Sequence, residues 1–348
     1  MLLLPDTGFS QLADSLTRRF SVLPLPVVYY TPETRLAYGA AATATFRFRR
    51  DSLTARPSQL TLGAAYTQNK QFLVYLPFQL FYRNNRYYAN GEAGYYRYNY
   101  FFFGFGQRTV PAELYGVNFP RIRLNVFRRV ANRLYAGVRY QYEDYQVTDV
   151  VPNGLLVSGD VPGGRGSRLS GAGLGLFYDT RDNVFFPTKG VVVDLAYLTH
   201  GYGLGSTVRF DRWQADISSY HTVSRWAILA VNYFSSFTTG QAPFNAMALL
   251  GGGKRGRGYY EGQFRDQHLA LLQTELRLNI WRRLGGVVFS SVGVLGNEQR
   301  LFRLNDSKGA YGAGLRFTVN RREHLNLRLD YARGHQSSGF YFTVGEAF

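Results

Sequence analysis

Toward the end of the chain, apolar and polar residues alternate with a period of two. In 310–319, Tyr311, Ala313, Leu315, Phe317 and Val319 share one face, and Gly312, Gly314, Arg316 and Thr318 share the other. In 325–332, Leu325, Leu327, Leu329 and Tyr331 oppose Asn326, Arg328, Asp330 and Ala332. A period of two is that of an extended strand. Sixteen such segments can be marked by alternation and turn residues: 20–30, 35–49, 57–68, 71–83, 86–98, 113–129, 133–145, 167–180, 189–202, 206–220, 224–237, 268–281, 284–297, 307–320, 324–334 and 339–348. One face carries charge, so both faces cannot be buried in protein. An apolar face against lipid and a polar face lining a wet interior explains the pattern.

The expected fold is therefore all-β: a single-chain transmembrane antiparallel β-barrel of 16 strands over residues 20–348, with 1–19 as a short periplasmic lead. An even count puts both chain ends on the periplasmic side. The two longest connections, 146–166 and 238–267, both follow odd-numbered segments and so both fall outside the cell.

Composition agrees. No stretch approaches the roughly 20 consecutive apolar residues of a membrane-spanning helix. Aromatic residues make up 16%, with 27 Tyr, 27 Phe, 38 Gly and no Cys, a mix that favours strands and tight turns. The net charge of +17 is almost all arginine, since Lys occurs only at 70, 189, 254 and 308. Nucleic acid is set aside as a partner, because the arginines alternate with apolar residues inside strands, as in Arg121-Ile122-Arg123-Leu124. Such charge suits a polar lumen or lipid phosphate at the rims. Met1-Leu2-Leu3-Leu4-Pro5 lacks the parts of a secretory signal, which is expected of a processed or trimmed form, or of a start placed too far downstream.

Other chemistry is weak. The histidines at 200, 221, 268, 324 and 335 show no metal-site spacing, and the glycines of 171–175 and 201–205 precede no helix that would make a nucleotide loop. Gly251-Gly252-Gly253-Lys254 lacks the phosphate-loop spacing, and no nucleophile pairs with a base. No enzyme activity, cofactor or metal is expected.

Two motifs go beyond generic barrel pattern. Residues 177–190 include Asp179-Thr180-Arg181-Asp182-Asn183 and Pro187-Thr188-Lys189-Gly190, whose side chains and fixed φ values make a rigid turn. This segment resembles the DTRDN…PTxG periplasmic turn between strands 8 and 9 of the BamA/TamA family of outer-membrane assembly proteins, also called the bacterial surface antigen family. Residues 251–259, with Arg257-Gly258-Tyr259, and the following Arg265-Asp266 resemble that family's sixth extracellular loop. There an RGY or RGF tripeptide folds into the lumen and its Arg docks on the wall. The resemblance maps the dock onto Arg257, Gly258, Tyr259, Glu275, Phe289 and Ser291. Ser291 stands where the family has Asp, so Glu275 is expected to carry the ion pair with Arg257. A third signal is the end of the chain, Phe340, Phe342 and terminal Phe348, which is similar to the mark that assembly machinery reads on barrels.

The resemblance covers roughly residues 20–348. It implies a multi-pass protein of the bacterial outer membrane that acts in assembly, insertion or translocation of proteins. Its partners would be outer-membrane lipid, an unfolded client and a periplasmic or outer-membrane protein. About twenty residues before the barrel leave no room for even one of the family's POTRA domains, so client binding by such domains is not expected of this chain. A pore or partner-binding barrel without insertase activity is the alternative. Pro24 and Pro26 in the first strand, with Gly339 and Gly345 in the last, mark the closing seam as the easiest place to open.

Overall fold

A computed structural model describes residues 19–52, 55–106, 110–158, 161–299, 304–320 and 325–348. The lead expected over 1–19 lies outside these, apart from Arg19. Among the described residues the strands are β1 (Phe20–Thr31), β2 (Arg35–Phe46), β3 (Ser58–Thr67), β4 (Phe72–Tyr82), β5 (Tyr87–Phe102), β6 (Glu113–Ala131), β7 (Leu134–Asp149), β8 (Gly166–Asp179), β9 (Gly190–His200), β10 (Phe210–Ser224), β11 (Ala227–Gly240), β12 (Ala248–Leu250), β13 (Phe264–Asp266), β14 (His268–Trp281), β15 (Leu284–Gly296), β16 (Lys308–Asn320), β17 (Leu325–Gly334) and β18 (Ser337–Val344). All but β12 and β13 form one closed antiparallel barrel in which each strand pairs with its chain neighbours and β18 returns to β1. The pair β12–β13 is a separate ribbon inside the long connection from β11 to β14.

The barrel is inside-out relative to a soluble one, with its large apolar side chains on the outer wall. Leu174, Val138, Trp213, Leu315, Tyr311 and Leu329 are exposed there, while Glu275, Arg277, Arg316, Arg328 and Asp330 are buried on the inner one. Closure leaves no sheet edge unpaired in lipid except where the seam itself is short. Inside, apolar residues collect toward the two ends. Phe102, Tyr115, Phe119, Tyr145 and Phe244 pack at the rim of long connections, and Phe81, Tyr88, Phe127 and Tyr135 at the opposite rim.

The last strand differs from the expected 339–348. It ends at Val344, where Gly345 at φ +85° turns the chain. Glu346 then accepts a hydrogen bond from Arg316 Nε (2.7 Å) and one from Asn326 Nδ2 (2.9 Å), and Arg277 donates to the Phe348 carbonyl (2.8 Å). The final residues are held on the inner wall by charge, which outweighs their continuation as a strand.

Candidate functional site

The connection from β11 to β14 runs across the polar inner wall of β14–β18, and glycines shape it. Gly251, Gly252, Gly256 and Gly258 all have positive φ, a region costly to other residues. At Gly258 a Cβ would also lie 2.9 Å from the backbone of Arg333 and Gly334, so this segment approaches β17 as closely as only glycine allows. Arg257 is thereby aimed at the wall. Its guanidinium is 2% exposed, pairs with Glu275 on β14, and reaches Asp330 on β17 at 2.6 Å. The guanidinium carbon stands 3.6 Å from the ring centroid of Phe289 on β15. One planar cation thus meets two carboxylates and an aromatic face together, which lysine could not do.

The carboxylates are shared further. Arg277 donates to Glu275 (2.8 Å), and Arg316 bridges Asp330 (2.5 Å) and Glu346 (2.7 Å). This corrects the expectation that Glu275 alone would carry the ion pair. Ser291 contributes no charge, but Asp330, two strands away, supplies the second carboxylate. The alternation of 325–332 had placed Asp330 on the polar face, although nothing in sequence ties it to a residue 73 positions earlier.

Neighbouring residues fix the segment at both flanks. Tyr341 donates its hydroxyl to the Tyr259 carbonyl (3.3 Å) and accepts from the Gly258 N–H (3.0 Å). The Tyr259 hydroxyl donates to the Gly309 carbonyl (2.6 Å) and accepts from the His335 N–H (3.0 Å). Farther on, the Glu261 N–H donates to Glu33 Oε1 (2.8 Å) in the β1–β2 turn. Burial raises the Glu33 carboxyl above its ordinary value, while the Glu261 side chain is exposed.

At the opposite rim, the turn from β8 to β9 is organised by three side chains. Arg181 forms a two-pronged pair with buried Asp179, both contacts at 3.0 Å. Asp182 accepts from the N–H groups of Asn183 (3.0 Å) and Thr188 (2.9 Å) and from the Thr188 hydroxyl (2.5 Å). Asn183 caps the N–H groups of Phe185 (2.7 Å) and Phe186 (2.9 Å). Pro187 is buried, and Gly190 at φ +106° sits where a Cβ would lie 2.6 Å from the Thr180 carbonyl.

The seam is the weakest join. One registered pair, Tyr30 with Phe342, links β1 to β18, against twelve between β1 and β2. The hydrogen bond from the Arg47 N–H to the Arg19 carbonyl (3.0 Å) fixes the parity: odd residues of β1 bond toward β2 and even ones toward β18. Pro24 and Pro26 therefore lack their N–H on the seam side. Continuing the register from Tyr30, Val28 falls opposite Val344, where β18 ends. Of the terminal aromatics, Phe340 is exposed on the outer wall, Phe342 forms the seam pair, and the Phe348 ring lies 5.6 Å from the Arg277 guanidinium.

Residues 38–348 match the Omp85 superfamily domain. Among solved structures, the chain is similar to BamA from Haemophilus ducreyi lacking POTRA domains 1–3, with 14% identity and a TM-score of 0.64 over 94% of this chain and 70% of that one. It is also similar to CdiB from Acinetobacter baumannii (14% identity, TM-score 0.62, 94% of this chain and 60% of that one). CdiB from Escherichia coli gives 9% identity and a TM-score of 0.63 over 98% and 63%. No curated protein matches the sequence.

Proposed function

Because the chain belongs to the Omp85 superfamily and forms a barrel of the bacterial outer membrane, we propose that it inserts or translocates polypeptides there by parting β1 from β18. The connection between β11 and β14, docked in the lumen through Arg257, serves as the element that holds the closed state. The observation that carries this reading is the seam of a single registered pair. Every other join in the barrel is longer, so separation costs least there. The Glu33–Glu261 contact ties the docked connection directly to the top of β1, and Tyr341 ties it to β18, so the dock touches both sides of the join.

The partners of this activity are lipid, an unfolded client and a periplasmic or outer-membrane protein, the last to be identified by native pull-down from outer membranes. A chain without cysteine allows a clean test of the seam. Adjacent antiparallel residues lie about 4.5–5.5 Å apart at Cα, within disulfide range. Tyr30→Cys with Phe342→Cys should therefore crosslink under oxidation. In liposomes, the oxidised barrel should lose client insertion and recover it on reduction. Full insertion by the crosslinked form would exclude lateral opening, and steady solute conductance with no insertion would favour a pore.

A further inference from the structure

Away from the dock and the seam, four amide side chains form a row at one level of the inner wall. Gln59 on β3 is paired in register with Gln79 on β4, Gln79 with Asn90 on β5, and Asn90 with Asn125 on β6. Adjacent strands are about 4.8 Å apart, so the row extends about 14 Å around the wall. It lines an open cavity of about 390 Å³. Below it, Phe81 and Tyr88 stack at 4.7 Å with an interplanar angle of 15°, and Phe127 continues the stack at 6.1 Å. Above it, Glu92 lies 3.7 Å from Arg123 and 3.6 Å from Arg121.

Asn125 donates to Asn90 at 2.8 Å, which fixes those two amides. Gln59 and Gln79 have no hydrogen-bond partner among the described residues, and both are open to water. The wall thus offers unsatisfied groups that each donate and accept beside a neutralised carboxylate, with no large apolar surface. Amides and a carboxylate suit vicinal hydroxyls, which also donate and accept together. The strand spacing is close to the advance of one pyranose ring, so successive amides can meet successive sugar units.

We propose that the inner wall of β3–β6 is a carbohydrate-binding groove that takes a short neutral glycan. An extended polypeptide is less well matched, because its same-side backbone groups recur about every 6.8 Å, out of step with the amides.

The test is titration calorimetry on the full chain, folded in a detergent without a sugar headgroup. The probes are maltohexaose, cellohexaose and chitohexaose, with a urea-unfolded outer-membrane polypeptide in a separate arm. At least one hexasaccharide should bind, and Gln59→Ala with Gln79→Ala should weaken it about tenfold, as expected for the loss of two hydrogen bonds. Neither glutamine holds another residue, and Gln79→Leu, close in volume, serves if the double variant does not fold. Absence of binding by all three glycans at millimolar concentration overturns the proposal, as does binding that the substitutions leave unchanged. Binding of the polypeptide alone, weakened by the same substitutions, also overturns it and makes the groove a peptide site.

Discussion

Arg257→Ala removes a cation that faces two fully buried carboxylates at once. Breaking a buried ion pair by deleting one partner costs about 3–5 kcal/mol, because the remaining charge stays desolvated. Here Glu275 keeps Arg277, and Asp330 keeps Arg316 at 2.5 Å with Arg328 at 3.6 Å, so the lower end applies. A loss of about 3 kcal/mol raises the undocked population roughly a hundredfold. Chymotrypsin reads this directly, since Tyr259 and Tyr260 lie within the docked segment and Tyr259 is buried. When opening is fast relative to cleavage, the cleavage rate follows the open population. The rate in native membranes should therefore rise by about that factor. Arg257→Lys should restore part of the protection, because a point charge cannot bridge both carboxylates in a plane. Wild-type protection in Arg257→Ala would refute the reasoning and show that hydrogen bonds through Gly258 and Tyr259 suffice.

The remaining predictions concern pH, the turn and closure. Glu33 is buried against the docked connection, and burial raises its carboxyl above its ordinary value. Its docked form therefore binds more protons than the free form, and docking weakens as pH rises through and above the ordinary carboxylate range. Chymotrypsin access should grow over that window, and Glu33→Gln should flatten the dependence; an unchanged profile in the variant would assign it to another group. Asp182→Ala withdraws the acceptor shared by Asn183 and Thr188 and should lower the urea midpoint by an amount equivalent to about 1–3 kcal/mol, measured by tyrosine fluorescence. Unboiled protein should migrate apart from boiled protein on a denaturing gel, since a closed barrel resists detergent until heated; a single band under both conditions would be at odds with closure.

The strands were legible because a two-residue period persists wherever one wall meets lipid and the other water. The expected segments 268–281 and 113–129 correspond to β14 (His268–Trp281) and β6 (Glu113–Ala131). The ribbon β12–β13 was not legible, because three residues are too few to show a period. Arg257, Glu275 and Phe289 could be singled out through the family motif, and the structure places them in contact. Asp330 could not, because partners across a barrel are set by strand register and carry no local signature. The inward turn of the tail was hidden for a related reason. Phe340 and Phe342 alternate as a strand does, whereas the departure after Val344 depends on Arg316 and Arg277, which lie on other strands.

Among the described residues, the retreat of residues 345–348 to the inner wall leaves the seam side of the lower half of β1 without a neighbour, and an exposed strand edge is ordinarily a template for adventitious pairing. Pro24 and Pro26 fall on that stretch and on that side. They strip donors from the edge just where the tail has withdrawn, so a stray strand cannot complete a ladder along it. The same arrangement divides the edge in two. A strand arriving at an opened seam would find intact donors at Val28 and Tyr30 above the prolines and at Phe20 and Val22 below them, so any ladder started at the long-loop rim is interrupted in mid-strand.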